Sequence, residues 1–208
     1  MIAGKKLAAP LLLDLDGVLV DSDASQERAW RWWCESHGLP PEPFLHAQGR
    51  TGEAMIAALA PPRLAVRARE EATSVTDYEA GDAHDVRAYA GAAALLASPR
   101  PVAIVTSCRT PLARARLRAA GLAAPAVLVT ADMVDCGKPH PAPYLLAAKQ
   151  LNVEPERCVV IEDAPAGVQA AKEAGMYVVA VTSTVDATRL SAAHKIIPDL
   201  VTFLQTPI

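Results

Sequence analysis

LLLDLDGVLVDS, residues 11–22, runs from an apolar stretch into two carboxylates, a glycine and a polar close. Side chains alternate along a strand, so Asp14 and Asp16, two apart, share a face where the strand ends. In an open α/β sheet the carboxyl ends of the strands form the ligand crevice. Both acids are expected to enter it, and Gly17 lets the chain turn sharply away. Two carboxylates beside an apolar strand repel each other and are costly without a cation or another counter-charge. A purely structural acidic turn is therefore disfavoured.

Four more apolar runs read as strands, at residues 102–106, 127–130, 158–161 and 177–181, with a weaker sixth run at 195–197. Short continuous apolar runs suit strands buried on both faces, as in a parallel sheet. Helical segments lie between most of them. Thr110 and Pro111 open one that stops at Gly121, residues 141–151 form a second, and residues 164–174 form a third closed by Gly175. Strands alternating with helices predict a doubly wound, Rossmann-like α/β core around a parallel sheet.

Residues 22–86 break the alternation. Helices are expected at 24–37, 51–59 and 63–73, with no convincing strand, so this block reads as an inserted all-helical cap. The division is a core of residues 1–21 and 87–208 and a cap of residues 22–86. Trp30, Trp32 and Trp33 are expected to pack the cap's own interior.

The chain has 208 residues, 51% of them hydrophobic, enough for a substantial core. Its net charge of −3 and scattered Lys and Arg argue against a nucleic-acid partner or a membrane surface. The opening residues hold two lysines and then an apolar run, but that run is short and ends in Asp14 and Asp16, unlike a signal peptide. Cys34, Cys108, Cys136 and Cys158 form no CxxC pair and read as reduced thiols in a cytoplasmic protein.

Three further motifs carry chemistry. Thr106 and Ser107, at the end of the second strand, place hydroxyl and backbone N–H groups where a phosphate oxygen could sit. Lys138, between Gly137 and Pro139 just ahead of a helix, can set a cation beside the carboxylates. Glu162 and Asp163 end another apolar strand before a helix and are hard-oxygen ligands of the kind Mg²⁺ prefers.

DLDGVLVDS, VTS, GKPHPAPY and IEDAPAGVQAAKEAG, in this order and spacing, resemble the haloacid dehalogenase-like superfamily, and specifically its helical-cap subclass. The resemblance implies Asp14 as nucleophile, Asp16 as general acid and base, Thr106 as the hydroxyl residue and Lys138 as the catalytic lysine. It implies Mg²⁺ held by Asp14, by the backbone carbonyl of Asp16 and by Asp163, with Glu162 beside it. Gly49, Arg50 and Thr51 in the cap, with Ser107, are expected to contact substrate.

A dehalogenase is disfavoured, because those relatives lack the second Asp that Asp16 supplies. A phosphomutase resembling β-phosphoglucomutase is expected to carry a cap His four residues after the motif's hydroxyl residue; here that residue is Ser22, and Gln26 stands four further on. Its cap Arg is missing too, since Gly52 stands three residues after Gly49. The remaining expectation is a Mg²⁺-dependent phosphatase acting through an aspartyl-phosphate on a small-molecule phosphate ester. Sugar phosphates and glycerol phosphate are the favoured substrates, phosphoglycolate a further alternative, and the protein is expected as a monomer or weak homodimer.

Overall fold

The computed structural model describes residues 9–47 and 50–206; Gly49 lies outside the described residues. Six parallel strands form the central sheet: β1 (Leu11–Leu13), β4 (Val102–Val105), β5 (Val127–Val129), β6 (Val159–Glu162), β7 (Tyr177–Val181) and β8 (Lys195–Ile197). Their order is β5-β4-β1-β6-β7-β8, so β1 is central and the order reverses beside it. Leu12 pairs with Ala103 on one side and Val160 on the other.

Helices cover both faces, which is why these strands read as unbroken apolar runs. Leu11, Leu13, Ile104 and Ile161 pack with α6 (Ala92–Leu96), α7 (Thr110–Ala119) and α10 (Leu200–Gln205). Leu12, Ala103, Val105 and Val160 point the other way, against α8 (Ala142–Leu151) and α9 (Pro165–Glu173). Adjacent residues of β1 thus enter opposite halves of the core, as the two-residue period requires.

The first strand, expected over residues 11–15 from its apolar run, is shorter, and β1 ends at Leu13. The chain bends after Asp14, whose N–H still donates to the Ile161 carbonyl at 3.0 Å. Gly17 takes φ +74°, and β2 (Val20–Asp21) then pairs antiparallel with β3 (Arg87–Ala88). This ribbon carries the chain out to the cap and back. Two residues per strand are too few to show a period, so sequence reading missed it.

The cap holds α1 (Asp23–His37), α2 (Glu42–Leu45), α3 (Gly52–Leu59), α4 (Pro62–Ala65) and α5 (Ala68–Gly81). The single helix expected at 63–73 is two helices, broken where Arg67 leaves helical geometry. The second runs on to Gly81 through Thr73, Ser74, Val75 and Thr76, weak helix formers. Packing overrides that preference, because Ala68, Ala72, Val75 and Glu79 repeat at helical spacing on the buried face. Trp30 and Trp33 pack with Phe44 and Ile56 in the cap interior. Trp32 departs from the expectation: it is 38% exposed and stacks outside on Tyr78 at 4.4 Å. Among the described residues no helix is long and apolar enough to cross a membrane.

Candidate active site

The strand ends collect the residues that the sequence singled out. Asp14 follows β1, Thr106 and Ser107 follow β4, and Glu162 and Asp163 close β6. Lys138 reaches in from the loop ahead of α8. Its ammonium donates to Asp14 Oδ1 at 2.7 Å, Glu162 Oε1 at 2.6 Å and the Val105 carbonyl at 2.9 Å. All three of its donors are used. Burial opposes the charge, but Asp14 and Glu162 outweigh it and hold Lys138 above the ordinary lysine value.

Glu162 is fully buried, and both its oxygens are engaged. Oε1 also accepts from the Tyr144 hydroxyl at 2.6 Å, and Oε2 accepts from the N–H groups of Asp163 and Ala164. A Cβ on Gly167 would come within 1.7 Å of Glu162 Oε1, so α9 can lie this close only with glycine there. Glu162 therefore anchors Lys138, while Asp14 and Asp163 line the cavity above.

Asp14, Glu162 and Asp163 each place a carboxylate oxygen within 4.8 Å of the others. Burial pushes the Asp14 carboxyl up from 3.8 to about 7, with Glu162 adding to the push and Lys138 opposing it. Burial likewise raises Asp163 well above the usual carboxylate range. Three buried carboxylates share one ammonium, so the residues present fit a hard divalent cation bound by oxygen. The Thr184 hydroxyl holds Asp163 Oδ2, and a Cβ on Gly17 would strike that oxygen at 2.0 Å. Gly17 is thus required by close approach as well as by its positive φ.

Asp16 shares the crevice, but its carboxylate stands outside this acidic cluster. Its Oδ1 accepts from the Ser22 hydroxyl at 2.7 Å and pairs with Arg116 Nη1 at 2.5 Å; its Oδ2 accepts from the Cys108 thiol at 3.0 Å. Gln26 Nε2 donates to the Ser22 hydroxyl at 2.9 Å, so the residue that replaces an imidazole stands one link from Asp16.

Thr106 is buried and fastens its loop, its hydroxyl accepting from the Cys108 N–H at 3.0 Å; Ser107, next to it, lines the cavity. Thr51 N-caps α3 and sits over Gly137, where an added Cβ would meet its methyl at 2.6 Å, so cap and lysine loop touch here. Arg50 lines the cavity from the cap side. The space between cap and sheet measures about 870 Å³, large enough for a phosphorylated sugar.

Sequence reading missed Tyr144, Cys108, Arg116, Glu79 and Thr184. Arg116 did leave a signal, since it falls on the apolar face of α7 among Leu112, Ala113 and Leu117. Glu79 repeats it on the buried face of α5.

The model of the haloacid dehalogenase-like hydrolases matches residues 11–175. Hexitol phosphatase A of Escherichia coli is 42% identical, covering 91% of this chain and 90% of its own. Fructose-1-phosphate phosphatase of the same organism is 34% identical, covering 81% of this chain and 93% of its own. Among solved structures, a hydrolase from Pseudomonas syringae superposes with a TM-score of 0.82 at 27% identity, covering 94% of this chain and 96% of the other. With its motifs at the strand ends of this sheet, the chain belongs to the haloacid dehalogenase-like hydrolases.

Proposed function

We propose that this phosphatase hydrolyses phosphate monoesters of small polyols and sugars, with Asp14 as nucleophile and Asp16 as proton carrier. The observation that carries the reading is Lys138, which ties Asp14 to Glu162 beneath a cavity that the cap lines from above. Asp14 Oδ attacks phosphorus in line. The Oδ–P bond forms as the bond to the alcohol oxygen breaks. Asp16 gives its proton to the departing oxygen. It then takes one from water, whose oxygen attacks phosphorus and frees Asp14 and inorganic phosphate. Lys138 fixes Asp14 and offsets negative charge at the transferring group, and Ser107 faces the same space. Asp14, Asp163 and the backbone carbonyl of Asp16 would hold Mg²⁺, with Glu162 beside them. Bound there, the ion neutralises the two carboxylates and the phosphoryl oxygens.

Residues 22–86 act in this reading as a cap over a core of residues 1–21 and 87–208. The substrate class follows the hexitol and fructose phosphatases that the chain resembles. Arg50 and Thr51 line the cavity from the cap and would meet the leaving group. All four cysteines are unpaired, which suits the cytoplasm.

The test is phosphate release from hexitol, hexose, ketose and glycerol phosphates, phosphoglycolate and nucleotides, with Mg²⁺ and with chelator. Metal-dependent release from a polyol or sugar phosphate supports the reading. A preference for phosphoglycolate or nucleotides overturns the substrate class. β-Glucose 1-phosphate should yield free phosphate, because Gln26 cannot change charge near neutral pH as a His could. Glucose 6-phosphate forming faster than phosphate would make the protein a mutase.

A further inference from the structure

Arg116 is a buried charged side chain that the mechanism above leaves unused. It projects from core helix α7 and is 2% exposed, among buried Leu112, Ala113 and Leu117. Its Nη1 lies 2.5 Å from Asp16 Oδ1 and 2.7 Å from the Cys108 sulfur. Its Nη2 donates to Glu79 Oε1, which belongs to cap helix α5. Glu79 is itself buried and takes the Ser25 hydroxyl from α1 at 3.5 Å. One guanidinium therefore bridges a carboxylate beside the nucleophile and a carboxylate of the cap; Arg116 and Glu79 are too buried for water to replace their pairing, while Asp16 opens onto the cavity.

We infer that Arg116 is a positioning residue that couples the seating of the cap, read through Glu79, to the orientation of Asp16. This rests on the phosphatase reading, in which Asp16 carries the proton. With α5 seated, Glu79 holds one edge of the planar fork and turns the other edge onto Asp16. With α5 withdrawn, the guanidinium loses one of its two carboxylates and is no longer held toward Asp16, which keeps only its Ser22 and Cys108 contacts as fixed partners. Proton delivery is thereby confined to the closed enclosure, where it serves the bound ester rather than bulk water. The bland alternative is a staple that holds cap to core and does nothing for Asp16.

The two differ in their dependence on the leaving group. An alkyl phosphate such as a hexitol phosphate needs a proton on the departing oxygen, whereas an aryl phosphate such as p-nitrophenyl phosphate departs without one. Both use the same nucleophile, and kcat/KM reads only the steps up to departure. Glu79→Gln keeps the shape of the cap contact and weakens the pairing. It should lower kcat/KM for the alkyl ester about tenfold and for the aryl ester less than about twofold. Arg116→Met should widen that gap to about a hundredfold. Equal losses on both esters in Glu79→Gln reduce Arg116 to a staple and overturn the inference. If Arg116→Met does not fold, as a melting curve shows, Glu79→Gln decides alone. A wild-type enzyme that releases phosphate from neither ester overturns the phosphatase reading itself, an outcome distinct from equal losses.

Discussion

Removing metal should make this protein less stable as pH rises through neutrality, the reverse of ordinary acid denaturation. Burial lifts Asp14 from 3.8 to about 7 and lifts Asp163 well above the usual carboxylate range. In the unfolded chain both ionise near pH 4. Between about pH 4 and about pH 7 the folded, metal-free protein therefore binds more protons than the unfolded one. By linkage its stability is fully present below the unfolded value and is lost as pH rises through the folded value. Asp14 alone, moved from 3.8 to about 7, accounts for roughly 4 kcal/mol across that window. For a chain of this size that is on the order of 10 °C in Tm. Mg²⁺ replaces the protons, so saturating metal should restore stability at pH 7.5, by about 2.7 kcal/mol at a hundred times its Kd. It should do little near pH 5. The assay is thermal melting from about pH 5 to about pH 8, in chelator and in excess Mg²⁺, on wild type and Asp163→Asn. The variant carries one buried carboxylate fewer and should show a shallower decline. A chelator curve that is flat or rises across this range, or an equal Mg²⁺ effect at both ends, would refute the account of the acidic cluster.

Three substitutions test the rest of the site. Asp14→Asn should fold and lose on the order of 10⁴-fold or more in turnover; a variant that keeps more than about a tenth of the wild-type rate excludes Asp14 as nucleophile. Lys138→Met takes the ammonium from Asp14, the Val105 carbonyl and Glu162, which keeps its Tyr144 and backbone donors but loses its counter-charge. It should cost about 3–5 kcal/mol by urea denaturation at neutral pH, and a cost below about 1 kcal/mol would contradict the buried pairing. Gly167→Ala drives a methyl into Glu162 Oε1 and should cost about 1–3 kcal/mol along with activity. Gly81→Ala, where nothing lies within 4 Å, is the control and should be neutral in both.

The legible parts of this chain are those with a local pattern. Buried parallel strands appear as continuous apolar runs, and polar residues stand where β1, β4 and β6 end. Asp14, Ser107, Lys138 and Asp163 could therefore be placed from spacing and from the resemblance alone. The β2–β3 ribbon has two residues per strand and no period to read. The continuation of α5 past Thr73 depends on what Val75 and Glu79 pack against, which local propensity does not contain. Glu79 and Arg116 stand 37 positions apart and meet only because the cap folds back over α7. Each left the same trace, a charged residue at an apolar position of a helix. That trace signals a buried partner without naming it. Trp32 shows the converse error: three neighbouring tryptophans at 30, 32 and 33 cannot all face one side of a helix, and the middle one turns outward.

The central claim is that Asp14 itself carries the phosphoryl group during turnover. Enzyme mixed with a hexitol phosphate and Mg²⁺, quenched in acid within the first turnover and digested, should yield the peptide containing Asp14 heavier by one phosphoryl group. The modification should be absent from Asp14→Asn and should decay as inorganic phosphate appears. Phosphate released at full rate with no modified Asp14 peptide, or with the phosphoryl group on another residue, would contradict the account.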